Sequence, residues 1–251
     1  MQLDLTRKVA LVTGSSKGIG WAIAKALHEE GCRVVLNGRN AKDLYAASNQ
    51  LTGSIGVMGD VSQPEEAKRI VAEVVGTFGH LDILVCNVGS GRSVSPGNET
   101  SDEWQRVFAL NLWSTTNCVE AARDALVASK GVIVAISSIC GLETIPGAPV
   151  TYSAAKAALN AYVRGVARPL GRLGVRINAV APGNILFDGS VWSRKMAEDE
   201  PSVKAMLANN VALGRLGVPA DVASLVTYLA SPRSGFATGS VWTLDGGQVH
   251  A

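Results

Sequence analysis

Residues 8–37 constrain the fold more than any other stretch. An apolar run, Lys8-Val9-Ala10-Leu11-Val12-Thr13, leads into Gly14-Ser15-Ser16-Lys17-Gly18-Ile19-Gly20. Apolar residues then recur at helical spacing (Ile23, Ala24, Leu27) up to Gly31, and Arg33-Val34-Val35-Leu36-Asn37 is a second apolar run. Short runs of this kind, bounded by glycine, predict buried parallel strands, and the spacing between them predicts a helix over 21–30 that Gly31 stops. Strand, glycine loop, helix and strand within about thirty residues form one supersecondary unit. Its loop glycines permit a tight turn and close backbone approach. The helix N-terminus then presents free N–H groups and a partial positive charge, which suits a pyrophosphate.

The alternation continues. Helical spacing covers 41–51, 64–78, 101–128, 152–173 and 219–229, with strand-like runs at 55–58, 81–86, 131–137, 175–180 and 240–244. The helix at 64–78 opens with Pro64 and carries Glu65 and Glu66 in its first turn, and Thr100 or Ser101 caps the helix at 101–128. After Pro182-Gly183 the alternation lapses: residues 184–212 mix Trp192, Met196 and Met206 with charges and read as an inserted helical segment. Alternating βα units predict an α/β fold, a doubly wound parallel sheet with helices on both faces. No linker, repeat or low-complexity tract interrupts residues 1–251, so a single domain is expected. Ligands bind beyond the carboxyl ends of such strands. Gly14, Asn37, Gly38, Arg39, Asp60, Asn87, Ser138 and Pro182-Gly183 all fall at strand ends, which predicts one shared site.

The acid–base chemistry reads from three residues. Ser138 closes the run Gly131-Val132-Ile133-Val134-Ala135-Ile136, and Tyr152 and Lys156 lie four apart, one turn along a helix face. A hydroxyl, a phenol and an ammonium around one small polar group make a proton-transfer site. A Tyr-x-x-x-Lys pair alone is a weak motif, but Tyr45, Tyr162 and Tyr228 have Asn49, Val166 and Pro232 four residues on, so only Tyr152 has the lysine. A lysine ammonium beside a phenol favours phenolate, so Lys156 is expected to lower the Tyr152 pKa.

Composition excludes other classes. With 47% hydrophobic and 18% charged residues the chain folds around a sizeable core, and a net charge of +2 without a long basic run argues against a nucleic-acid partner. The start lacks a signal-peptide core and no run approaches a membrane span, so a cytoplasmic protein without membrane contact is expected. Cys32, Cys86, Cys118 and Cys140 are scattered and read as free thiols in a reducing compartment. His28, His80 and His250 are dispersed, so no metal site is expected.

At these positions the chain resembles the short-chain dehydrogenase/reductase family, which implies a single Rossmann-type domain. Thr13-Gly14-Ser15-Ser16-Lys17-Gly18-Ile19-Gly20 is similar to its TGxxxGIG cofactor loop, Asp60-Val61 to its adenine-contacting pair, and Asn87-Val88-Gly89 to its NAG turn. Asn111 matches the asparagine of its fourth helix, Ser138, Tyr152 and Lys156 its Ser…YxxxK centre, Pro182-Gly183 its PG turn, and Asp245-Gly246-Gly247 its C-terminal signature. The similarity covers nearly the whole chain, and the best match is the branch that includes 3-oxoacyl-carrier-protein reductases and many ketone reductases. It implies an oxidoreductase interconverting a ketone and a secondary alcohol. Tyr152 is then the acid/base, Ser138 orients the carbonyl, Lys156 also holds the nicotinamide ribose, and Asn111 positions a water serving a proton relay. Gly14, Ser16, Lys17, Gly18, Ile19, Gly20, Arg39, Asp60, Val61, Asn87, Gly89, Tyr152, Lys156, Pro182, Gly183 and Ile185 are the implied cofactor contacts. A homotetramer or homodimer is implied too. The chain departs from the family in two places: Asn184-Ile185-Leu186-Phe187 follows the PG turn without the usual Thr or Ser, leaving the Ile185 backbone for the carboxamide, and Val88 replaces alanine near the nicotinamide ribose.

NAD users carry an acid at the end of the second strand. Here Asn37-Gly38-Arg39-Asn40 has none, and Arg39 with Lys17 suits a 2′-phosphate, so NADP(H) is expected over NAD(H). The carbonyl substrate is a small molecule whose pocket candidates are Ser90, Arg92, Cys140, Leu142, Glu143, Phe187 and Trp192, with 184–212 as a lid. Two alternatives stay open: a 3-oxoacyl-thioester reductase, served by a basic surface of Arg123, Lys130, Arg168 and Arg172, and a non-catalytic NADP(H)-binding sensor or scaffold.

Overall fold

The computed structural model describes residues 2–249; His250 lies outside the described residues. Strand β1 (Val9–Val12) is followed by α1 (Gly18–Glu29), β2 (Arg33–Gly38), α2 (Ala41–Ser48), β3 (Ile55–Met58), α3 (Pro64–Phe78) and β4 (Ile83–Cys86). Next come α4 (Ser101–Phe108), a π-helical turn (Ala109–Trp113), α5 (Ser114–Ser129) and β5 (Val132–Ile136). Then α6 (Val150–Arg172), β6 (Arg176–Pro182), α7 (Val191–Asn210), α8 (Pro219–Ala230) and β7 (Val241–Leu244) complete the described chain.

Among the described residues seven strands form one sheet in the order β3-β2-β1-β4-β5-β6-β7, every pair parallel. The order reverses between β1 and β4, which opens a crevice at their carboxyl ends. Alternate strand residues feed two cores. Val9 and Leu11 face α3, α5 and α6, whereas Ala10 and Val12 face α1, α2 and α8. Burial on both faces explains why these strands read as continuous apolar runs rather than alternating ones.

The expected order of elements is present, with three differences that bear on the site. The helix expected over 101–128 is not continuous: α4 and α5 are joined by the π-helical turn, which places Asn111 fully buried at the widened point. Thr100 caps α4, its hydroxyl accepting from the Glu103 N–H at 3.2 Å. Helix α6 starts two residues earlier than its apolar pattern, because Pro149 sets the extended cap and Val150 begins the helix. Tyr152 therefore sits in the first turn rather than opening it. Helix α7 bends at Asp199, where the backbone leaves helical geometry before Pro201. It encloses its own small core of Val203, Leu207 and Val211 with Trp192, Met196, Met206 and Leu216, so Trp192 and Met196 do share an apolar face.

Candidate active site

The glycine loop is held open by its neighbours. Gly14 has φ +61°, and Asn87 spans the loop by donating from Nδ2 to the Thr13 and Gly14 carbonyls at 3.0 Å each. A Cβ at Gly20 would lie 2.4 Å from that Nδ2, so only glycine lets α1 approach. The Asn87 side chain thus shapes the loop, and the residue also lines the cleft. Lys17 caps α1 without a side-chain hydrogen bond, leaving the first-turn N–H groups to a docked anion.

Gly14, Ser16, Lys17, Arg39, Asp60, Val61, Asn87 and Gly89 line one cleft of about 250 Å³ at the β1/β4 crevice, with Ser90 and Leu110 at its inner end. Gly18, Ile19 and Gly20 form the first turn of α1 beside it. The Asn37 amide is turned inward, donating to the Val57 and Gly59 carbonyls at 3.1 Å. Arg39 is exposed at the mouth and pairs with Asp60 at 3.3 Å. Asp60 also accepts from the Ser62 N–H and hydroxyl. Burial raises the Asp60 pKa, but the Ser62 hydrogen bonds and Arg39 outweigh it, and the carboxyl stays below its usual range.

Farther in, the reacting groups converge at the ends of β4 and β5 and the start of α6. Lys156 is 2% exposed, donates from Nζ to the Ile136 carbonyl at 2.8 Å and lies 5.9 Å from the Tyr152 ring centroid. Ser138 is buried, and its hydroxyl accepts from the Cys140 N–H at 3.2 Å. A Cβ at Gly89 would lie 2.9 Å from Asn111 Oδ1 and 3.1 Å from Lys156 Nζ, so the bare glycine lets the cleft wall pack directly on both groups. The cleft at the crevice, with the α1 terminus free of a side-chain cap, fits a dinucleotide. Asn111 spends its side chain on the loop opposite: Oδ1 accepts from the Ser90 N–H at 2.9 Å, and Nδ2 donates to the Ser90 and Val107 carbonyls.

One electrostatic expectation is overturned. Burial pushes the Tyr152 pKa up to about 12, against a lowering contribution from the Ser138 hydroxyl, and Cys140 adds to the rise. Burial likewise lowers Lys156 to about 8, opposed by Cys86 and Cys140. Lys156 does not lower Tyr152 as the four-residue spacing suggested, because its own charge is desolvated and its ammonium is turned to the Ile136 carbonyl.

The remaining predicted residues lie around these groups. Pro182 ends β6, and the Gly183 N–H donates to the Leu244 carbonyl at 3.0 Å. Ile185 pairs with Gly217 through the Asn184 carbonyl and the Leu186 N–H, leaving its own polar groups out of the bridge. It also lines a second cavity of about 220 Å³ with Val211, Leu213 and Arg215. Phe187 packs on Gly18, where a Cβ would meet the ring at 2.6 Å. Val88 packs toward Gly14, its Cγ2 3.0 Å from a Cβ placed there. Sequence reasoning missed Ser93, Glu103 and Thr151, which join across 58 positions, and no local pattern announces them.

A sequence model described as Enoyl-(Acyl carrier protein) reductase matches residues 14–249. The 3-oxoacyl-[acyl-carrier-protein] reductase of Chlamydia trachomatis is 34% identical over 251 residues, covering 98% of each chain. L-fucose dehydrogenase of Mus musculus is 35% identical over 243 residues, covering 96% of this chain and 88% of that one. L-sorbose reductase from Gluconobacter frateurii, solved with NADPH and L-sorbose, superposes with a TM-score of 0.93 at 27% identity over the full length of both. The chain belongs to the short-chain dehydrogenase/reductase family. It is an oxidoreductase of the kind that interconverts a ketone and a secondary alcohol.

Proposed function

We propose that this chain is an NADP(H)-dependent ketone reductase in which Tyr152 is the acid/base. The observation that carries the reading is the gathering of Ser138, Tyr152, Lys156 and Asn111 behind Gly89 and Gly91, next to the cleft that Lys17 and Arg39 line. A nicotinamide held beside Lys156 would supply the hydride that the carbonyl carbon receives. Burial keeps Tyr152 protonated through neutral pH, as a donor to the carbonyl oxygen must be. Ser138 donates to that oxygen and holds the carbonyl in line. The Ser138 hydroxyl, which works against the rise of the Tyr152 pKa, is the group beside the phenol as it loses its proton. Lys156 also holds the nicotinamide ribose. Asn111 holds the wall opposite and serves the proton path to Lys156.

Arg39 and Lys17 take the 2′-phosphate, with Arg39 leaving Asp60 to do so. The glycine loop, Val61 and the Pro182-Gly183 turn frame the rest of the dinucleotide, and the Ile185 backbone meets the carboxamide. Helix α7 and its flanks, residues 184–212, close over the substrate as a lid within the one domain; their separate small core supports this. Trp113, Val150 and Leu173, each at least 43% exposed on the π-turn and α6 side, favour assembly as a dimer or tetramer. Among the described residues no helix is long and apolar enough to cross a membrane.

The relatives act on 3-oxoacyl thioesters and on sugars, so the substrate class is tested directly. Ketones, 3-oxoacyl thioesters and keto sugars are offered with NADPH or NADH and followed by absorbance. Ketone-dependent oxidation faster with NADPH supports the reading, and Arg39→Asp should cut that preference about tenfold or more, since a charge-assisted phosphate contact is lost. A clear advantage for NADH in the unsubstituted protein, or no loss with NADPH in Arg39→Asp, would refute the cofactor assignment.

A further inference from the structure

We propose that Thr151 and Ser93 are positioning residues that lock Tyr152 against the loop beside it, through a one-way hydrogen-bond chain ending on Glu103. The inference rests on Tyr152 being the acid.

The Ser93 hydroxyl lies 2.6 Å from Glu103 Oε1 and 2.6 Å from the Thr151 hydroxyl. A serine hydroxyl has one hydrogen, and an ionised carboxylate only accepts. Ser93 therefore donates to Glu103, and Thr151 donates to Ser93. Glu103 is held ionised at a pKa of about 2, first by Arg106 and then by Ser93. Arg106 grips it with Nε at 2.8 Å and Nη2 at 2.7 Å, and also donates to the Arg92 carbonyl at 3.0 Å. Thr151 is fully buried in the first turn of α6, adjacent in sequence to Tyr152.

The same loop is pinned a second time, where Asn111 pairs with both backbone groups of Ser90. Between the two pins, Gly91 passes the Tyr152 ring: a Cβ there would lie 3.8 Å from Cε1 and 3.9 Å from Cζ. The loop is thus a wall along the phenol. Its distance from α6 is set by the hydroxyl–hydroxyl–carboxylate chain, and its other end by the buried Asn111 of the π-turn. Neither Thr151 nor Ser93 is needed for proton transfer. Both fix where the phenol stands, and misplacement by about an ångström costs up to about a hundredfold in rate.

Thr151→Val keeps the shape and deletes the hydroxyl, Thr151→Ser keeps the hydroxyl, and Ser93→Ala breaks the middle link. Each purified variant is assayed with saturating NADPH and the best ketone, titrated with NADPH by fluorescence, and melted. Thr151→Val and Ser93→Ala should each lower kcat about tenfold or more, with ketone KM and NADPH Kd within about twofold. Thr151→Ser should restore most of kcat, and the Ser93→Ala/Thr151→Val double variant should lose little more than either alone. Unchanged kcat in Thr151→Val, losses that multiply in the double variant, or losses matched by weaker NADPH binding would overturn the proposal. Tyr152→Phe separates the two readings. If it retains turnover, the parent reading fails and takes this one with it. If it is inactive while Thr151→Val is unaffected, only this inference fails.

Discussion

Lys156 shows how burial sets the behaviour of a single side chain. Its ammonium is 2% exposed, and its pKa falls to about 8 because the charged form is desolvated. Below pH 8 it is protonated in both folded and unfolded states, so its contribution does not change with pH. Between about 8 and the unfolded value of 10.5, the unfolded chain still holds the proton and the folded chain does not, so stability contributed at this site rises with pH. Urea denaturation at a series of pH values from 7 to 10 should therefore show wild type gaining on Lys156→Met as pH rises. A difference between the two that is flat across this window would show that the buried lysine keeps its proton.

Among the elements, β6 depends on a contact that no local pattern reveals. Arg176 at its first position donates from Nη1 to the Leu229 and Ala237 carbonyls and the Ser234 hydroxyl, and from Nη2 to the Ser231 carbonyl. It ties the strand to the end of α8 and the approach to β7. Arg176→Met leaves partly buried acceptors without this donor and should lower unfolding stability by about 2–3 kcal/mol. A shift below about 0.5 kcal/mol in urea denaturation would show that water replaces the guanidinium. Such long-range clamps mark the limit of what is legible in the sequence. The strands, the glycine loop and the Tyr152–Lys156 spacing are periodic or local, so residue order carries them. The π-turn at Asn111, the bend at Asp199 and the link from Ser93 to Thr151 are set by packing between distant segments. The raised Tyr152 pKa escaped for the same reason: spacing places a lysine near a phenol, but only the assembled fold shows how far both are buried.

The arrangement of all seven strands gives these parts one purpose. The β1/β4 reversal opens the crevice, Asn87 shapes its loop, and β5 with α6 brings Lys156 against Gly89 and Tyr152 beside Gly91. The proposed roles divide accordingly: Lys17 and Arg39 line the cleft, and Tyr152 stands behind Gly91 next to it. Removing the Tyr152 hydroxyl alone should leave the contacts at Lys17 and Arg39, and so NADPH binding, intact. Tyr152→Phe removes only the hydroxyl, so the most direct measurement is NADPH affinity by fluorescence alongside ketone turnover in that one variant. The expected result is a Kd within about twofold of wild type with turnover reduced at least about a hundredfold. Turnover at the wild-type level in Tyr152→Phe would contradict it.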